Sequence, residues 1–186
     1  MARSTARKRA LNTLYEADEK GQDILSLLAE RIAEPGAQTP LPDYAIDIVR
    51  GVAEHRRDID RTLNDHSTGW KVWRMPVVDR NILRIAVWEI LFNEEVPDKV
   101  AIDEALSLSK TLCDDDSPAF IHGLLSAICA DADQRASETA DDSSDDHADE
   151  SADDPSAPAS ASEPATDADP SDETAGDGGA TDGESE

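Results

Sequence analysis

The sequence predicts an all-α domain followed by an acidic segment that has no core. Apolar residues recur at helical spacing through residues 1–130, and no stretch shows the strict alternation of a half-buried strand. Residues 131–186 contain no large apolar residue, only alanine. We therefore expect a compact bundle of about seven helices in residues 1–134. Residues 135–186 are expected to form a disordered acidic tail, because they cannot bury enough apolar surface to order themselves.

Three helices are predicted in the first part of the chain. The first carries small and apolar residues on one face and ends near Gly21. The second is stopped by Pro35 and Gly36, which open the loop PGAQTPLP. The third begins at Asp43 and continues as one helix to about the stretch NDHSTG, residues 64–69.

Prolines define the helices of the second part. After a short turn or helix, WKVWRM, Pro76 stands at the start of the run VVDRNILRIAVWEILF. That run is apolar nearly all round, which indicates a central, buried helix. Pro97 precedes the next helix, and Ser117 with Pro118 begins the last one as cap and first turn.

The negative charge is concentrated at the C-terminal end. The whole chain has a formal net charge of −25, and residues 131–186 hold 20 of its 42 acidic residues but one basic residue, Arg135. The first 130 residues are therefore only moderately acidic. An acidic chain of this kind does not exclude a local positive surface that binds a polyanion.

Several function classes lack support in the sequence. No stretch approaches the ~20 apolar residues of a membrane span, and no apolar region follows the basic N-terminus as in a signal peptide. Cys113 and Cys129 lack paired spacing, and with His122 they would leave a zinc ion one ligand short, so we predict no metal and no cofactor. Two isolated thiols suit a reducing cytoplasm. No catalytic motif is present, and we expect no enzyme.

The first helix begins with a cluster of cations that its own dipole disfavours. Four of them precede the first acidic residue: Arg3, Arg7, Lys8 and Arg9. Asn12 and Tyr15 share a helix face with Lys8. One interpretation is a solvated helix end with a tyrosine at the domain edge. The other is a single-stranded RNA site, in which cations attract phosphates, Asn12 pairs with a base edge and Tyr15 stacks on a base.

A second candidate patch opens the last helix, in the stretch DDDSPAFIHG. Carboxylates ahead of a helix N-terminus are favoured by the helix dipole, which alone explains the three aspartates. Phe120, however, falls in the first turn beside the core stripe, where its ring is expected to be partly covered. Asp116 beside it can accept a hydrogen bond from a base amino group.

Four stretches then resemble the NusB transcription antitermination family, in the order found there. They are ARKRALNTLYEAD, WKVWRMPVVDRNILRIAVWEILF, VPDKVAIDEALSLSK and DDSPAFIHGLL. The resemblance covers about residues 3–130. It implies an all-helical RNA-binding domain without catalytic activity. It also implies binding to boxA RNA together with NusE, a ribosomal protein, in an RNA polymerase antitermination complex.

The resemblance also assigns residues. The first-helix RNA positions of the family correspond here to Arg7, Asn12 and Tyr15, with Arg3 in the preceding basic arm and Lys8 beside them. Asp116 and Phe120 correspond to its second RNA patch, and Asp79 to its NusE-binding face. Two alternatives stay open at this point: a helical protein-interaction module, and an RNA-binding module without boxA selectivity. A homodimer that hides the RNA face is compatible with the RNA-binding function that the resemblance implies.

The tail generates a prediction of its own. The acidic residues 131–186 form a flexible chain of about 56 residues that spans roughly 40 Å, so its negative charge can reach the cations of the first helix and compete with RNA. Deleting residues 135–186 should then raise affinity for random RNA at low salt, and the difference should vanish at high salt. A salt titration of full-length and truncated protein measures this. Equal affinities throughout would leave the tail a solubilising appendage.

Overall fold

The protein is described by a computed structural model that covers residues 2–35 and 39–142, with side chains as far as residue 137. Within these residues it contains seven α-helices, one short 3-10 helix and no strand, which confirms the all-α prediction. The predicted tail lies almost wholly outside the described residues. The last helix continues past residue 134, where the sequence placed the domain boundary.

The elements follow one another with short connections. In chain order they are α1 (Arg3–Lys20), α2 (Ile24–Ala33), α3 (Asp43–Glu54), α4 (Arg56–His66), the 3-10 helix (Val72–Arg74), α5 (Val77–Phe92), α6 (Asp98–Leu112) and α7 (Ser117–Asp142).

Local signals in the sequence account for most of these boundaries. Gly21 ends α1 in the left-handed region, at φ 60°, where a residue with a Cβ is strained. Asp23 caps α2 by accepting a hydrogen bond of 3.0 Å from the backbone N–H of Ser26. Pro76 and Pro97 immediately precede α5 and α6, where the missing N–H costs nothing.

The expected third helix is in fact two helices, α3 and α4, and the single-helix prediction was wrong. The helix breaks at His55, which has φ −101° and ψ 12°. The His55 ring stacks on Phe92 at the end of α5, with ring centroids 4.0 Å apart. The break lets α3 pack against α1, α2 and α5 while α4 packs against α5 and α7. One straight helix could not follow both surfaces.

Helix α5 lies at the centre of the bundle, as its apolar sequence predicted, and packs against α1, α3, α4, α6 and α7. Helix α3 comes close to α5 at Gly51. A Cβ built on Gly51 would lie 2.0 Å from Nε1 of the Trp88 indole, far inside van der Waals contact. Glycine at this position therefore sets how near α3 and α5 can lie.

The substitution Gly51→Ala should lower the free energy of unfolding by about 1–3 kcal/mol, because the methyl group displaces Trp88 or separates the two helices. The matched control is Gly123→Ala. Gly123 is also helical, but a Cβ there meets nothing within 4 Å. The control should be neutral or stabilising by up to about 1 kcal/mol, from helix propensity alone. Urea denaturation measures both, and equal stabilities would contradict the close contact.

Candidate nucleic-acid interface

The first predicted RNA residue, Arg7, lies inside the bundle rather than on its surface. Its side chain is 3% exposed, and its Nε donates to both carboxylate oxygens of Glu89, at 2.9 and 3.0 Å. Its Nη1 lies 3.5 Å from a carboxylate oxygen of Glu104. This burial corrects the prediction of Arg7 as an RNA contact, which requires an exposed side chain. The guanidinium is engaged by two carboxylates and is not presented to an RNA phosphate.

Arg7 keeps its positive charge in this cluster. Burial alone would lower the pKa of Arg7, but the hydrogen bond and negative charge of Glu89 outweigh it and raise that pKa above its ordinary value. Tyr44 also donates its hydroxyl hydrogen to Glu89. Burial and the neighbouring Glu89 raise the pKa of Tyr44, so the phenol stays neutral. A carboxylate on α5 thereby holds α1 and α3 together.

A second buried network ties α1 and α4 to α5. Asp18 accepts hydrogen bonds from Arg80 at 3.1 Å and from Asn81 at 2.9 Å. Arg84 donates to Asp18 at 3.4 Å and makes a two-pronged contact with Asp60, at 2.8 and 2.9 Å. Burial would raise the pKa of Asp18, but Asn81, Arg80 and the charge of Arg84 lower it below the ordinary value. These groups fix the orientation of α1.

The remaining candidates on α1 face solvent. Lys8, Asn12 and Tyr15 are all exposed, with Tyr15 at 41%. This agrees with the shared face predicted for them. Arg3 is also exposed and forms a surface ion pair of 3.0 Å with Glu95. Arg9 is half-buried and donates to the side chain and carbonyl of Thr39.

Two neighbouring hollows bring the other candidates together. Tyr15 borders one, of about 280 Å³, and Phe120 with Asp116 borders the other, of about 360 Å³. Both hollows share the same wall, formed by Pro76, Asp79 and Asp114. Tyr15 and Phe120 therefore border hollows that share one wall, although they are more than a hundred residues apart in the sequence.

Asp79 lies between these hollows and is 5% exposed. It borders the same hollow as Cys113, and burial together with the neighbouring Asp79 raises the pKa of the Cys113 thiol to about 12. The resemblance assigns Asp79 to NusE binding and the other candidates to RNA binding. The structure instead places it beside them, so a substitution at Asp79 alters the surroundings of Tyr15 and Phe120 as well.

Trp70 is a further candidate residue that the sequence pattern did not predict. It borders the same hollow as Phe120 and is 54% exposed. The signal was present in WKVWRM, where two tryptophans alternate with cations. Helical periodicity alone predicts only a short turn or helix for that stretch.

Neither a membrane span nor a metal centre emerges from the described part of the chain. None of its helices is long and apolar enough to cross a bilayer. Among the same residues, no group of three or more His, Cys, Asp or Glu side chains is placed to hold a metal ion. Cys113 and Cys129 are both half-buried free thiols, as the sequence indicated.

Sequence comparisons give a consistent family. The family model described as "NusB family" matches residues 4–130. The transcription antitermination protein NusB of Bifidobacterium longum subsp. infantis is 87% identical over 129 residues, which cover 69% of each chain. The protein of the same name from Bifidobacterium animalis subsp. lactis is 76% identical over 139 residues, covering 75% of this chain and 90% of the relative.

Solved structures agree with the sequence relatives. The chain is similar to NusB of T. maritima, with a TM-score of 0.61 and 29% identity over 70% of this chain and 92% of that one. It is also similar to a chain in a structure of the antitermination factors NusB and NusE in complex with double-stranded RNA. There the TM-score is 0.59 and the identity 28%, over 70% of this chain and 98% of that one.

The buried position of Arg7 generates a stability prediction. Arg7→Ala leaves the Glu89 carboxylate buried without its main partner, which should cost about 3–5 kcal/mol of unfolding free energy. The matched control is Arg3→Ala, which removes an exposed ion pair on the same helix and should cost at most about 1 kcal/mol. Urea denaturation followed by circular dichroism compares them. Equal losses would show that Arg7 is not part of the core.

Proposed function

The chain belongs to the NusB family, and from this premise we propose that it is a transcription antitermination factor that binds boxA-type single-stranded RNA. In this proposal a NusE-like ribosomal protein binds with it, and the pair supports transcription of ribosomal RNA by RNA polymerase. The chain performs no catalysis itself. Its contribution is to hold RNA and protein partner side by side.

The observation that carries the proposal is that two aromatic side chains border adjacent hollows with a shared wall. Tyr15 on α1 and Phe120 on α7 border adjacent hollows around Asp79. Tyr15 is exposed and Phe120 is half-buried, while the surrounding helices are held by buried and partly buried ion pairs. Partly exposed rings on a rigid frame are suited to stacking against unpaired bases. Asp116 at the same hollow can accept a hydrogen bond from a base amino group.

Cations for the RNA backbone lie along the exposed face of α1. Lys8 is exposed and has no carboxylate partner among the described residues. Arg3 pairs with Glu95 only at the surface, where such pairs contribute about 0–1 kcal/mol, so a phosphate can replace the carboxylate. Asn12 stands between these cations and Tyr15. Arg7 acts in this proposal as a positioning residue that holds α1 against Glu89.

Protein binding is assigned to the acidic wall. Ribosomal proteins are generally cationic, and Asp79, Asp114 and Asp116 present carboxylates around the Phe120 hollow. The similar structure that contains NusB, NusE and RNA supports an arrangement in which both ligands are held by one NusB-like chain. Since Asp79 is nearly buried, we assign it the role of shaping this wall, with Asp114 as the exposed charge that meets the partner, while Asp116 stays with the RNA.

The proposal is tested by titrating labelled boxA RNA with full-length protein, with and without the NusE partner. Affinity should rise several-fold with the partner, and boxA should bind more tightly than a scrambled RNA. Tyr15→Ala and Phe120→Ala should each weaken binding by about 1–3 kcal/mol, the usual loss of a stacking ring. Leu25→Ala, a similarly exposed apolar side chain on α2, is the control and should bind normally.

Two results would count against this function. Equal affinity for boxA and scrambled RNA would leave a general RNA-binding module. No RNA binding at all, with the partner still captured, would leave a helical protein-interaction module. If Tyr15→Ala instead lowers the unfolding temperature and spares affinity in the folded protein, the tyrosine is a core residue.

A further inference from the structure

The segment between α4 and α5 exposes two tryptophan rings, and the proposed function does not account for their exposure. We call residues 69–75 the Trp segment. Within it Trp70 is 54% exposed and Trp73 is 75% exposed, the highest values among the large apolar side chains of the described residues. Large aromatic side chains are normally covered in a monomeric domain, and an exposed apolar patch commonly marks a binding surface.

The exposure of these rings is built into the backbone. Val72 and Met75 point inward and are each 4% exposed, so they anchor the Trp segment to the core. The Val72 N–H donates to the Asn64 side-chain oxygen at 2.9 Å. The Ser67 hydroxyl donates to the Trp70 carbonyl oxygen at 2.6 Å. Anchoring on both sides holds the rings outward before any ligand arrives.

The charges beside the rings are positive and available. The Arg74 guanidinium lies over the Trp73 ring, 5.6 Å from its centroid. Lys71 contacts only a backbone carbonyl oxygen, that of Asn64, at 3.4 Å. Among the described residues neither cation forms an ion pair with a carboxylate, whereas Arg7, Arg80 and Arg84 are all so engaged. In a chain this acidic, two unpaired cations flanking two exposed rings form a distinct chemical surface.

The Trp segment also continues the candidate RNA surface. Trp70 borders the hollow that contains Phe120 and Asp116, so a strand that leaves Phe120 on this side meets Trp70. Trp73 follows three residues later in the same exposed segment. Aromatic rings alternating with cations are suited to single-stranded nucleic acid, in which bases stack and phosphates are neutralised. A cationic protein partner would be repelled by Lys71 and Arg74.

We propose that the Trp segment is a second single-stranded RNA site, in which Trp73 and Trp70 stack on bases and Lys71 and Arg74 contact phosphates. It rests on the RNA-binding part of the proposed function and extends the RNA surface beyond Tyr15 and Phe120. Stacking of this kind tolerates any base sequence, so the segment adds affinity and length rather than boxA selectivity.

The first test measures affinity for a labelled 12-nucleotide oligouridylate at low salt, using the full-length chain. Trp73→Ala should weaken binding about five- to a hundredfold, while Trp73→Phe keeps most of the affinity. Arg74→Gln should reduce the slope of log affinity against log salt by about 0.7, the loss of one phosphate contact on a single strand. Arg57→Gln is the matched control, because Arg57 is equally exposed on α4 and lacks a carboxylate partner among the described residues.

A second readout locates the contact. Trp88 is 8% exposed and serves as the internal reference for tryptophan fluorescence. Bound oligouridylate should quench the long-wavelength emission of the exposed rings and protect them from acrylamide. Trp70→Phe and Trp73→Phe then assign the quenching to one ring or the other. Thermal denaturation of each variant should match the wild type, since neither ring is in the core.

The outcomes separate this inference from the proposed function. If wild type prefers boxA but Trp73→Ala binds oligouridylate normally, the inference is overturned and the function stands. If boxA selectivity is absent while Trp73→Ala still loses oligouridylate affinity, the inference stands and the proposed boxA function fails. Loss of NusE capture by Trp73→Ala, with RNA binding unchanged, would identify the Trp segment as a protein-binding surface and would also overturn the inference.

Discussion

The arrangement of this bundle depends on one buried carboxylate, that of Glu89. Its side chain is 1% exposed and accepts hydrogen bonds from Arg7 on α1 and Tyr44 on α3. A buried charge without partners costs several kcal/mol, so the three helices must meet in the register that brings these groups together. Apolar packing alone tolerates small slides and rotations of a helix, whereas a paired buried charge does not. The Glu89 cluster therefore specifies geometry more than it adds stability.

The direction of Arg7 fixes the direction of every other residue on α1. At about 100° per residue, Tyr15 points roughly 80° away from Arg7, Lys8 roughly 100° and Asn12 roughly 140°. With Arg7 held inward by Glu89, and Asp18 held at the other end by Arg80 and Asn81, this face must be exposed. The buried Arg7–Glu89 interaction thus determines which side chains of α1 are exposed. Among the cations at the start of the helix, Arg7 orients α1, whereas Arg3 and Lys8 face solvent.

Residues with strong local preferences made the fold predictable. Gly21, Pro76 and Pro97 end or begin helices for reasons contained in their own backbone chemistry, and the structure has boundaries at each. The break at His55 depends on Phe92, a contact that local sequence does not reveal. The burial of Arg7 likewise depends on Glu89, 82 residues away. A charged residue is assumed to be exposed until its distant partner is known. The exposed face of Lys8, Asn12 and Tyr15 followed from helical periodicity, whereas its proximity to Phe120 required the tertiary structure.

The shared wall between the two hollows has a thermodynamic consequence. Pro76, Asp79 and Asp114 border both spaces. Ligands bound in the two hollows would both contact these three residues, so each ligand would change the binding free energy of the other. Such coupling is reciprocal: the factor by which the first ligand strengthens the second is the factor by which the second strengthens the first. The shared wall thereby offers a means of cooperativity between the two hollows.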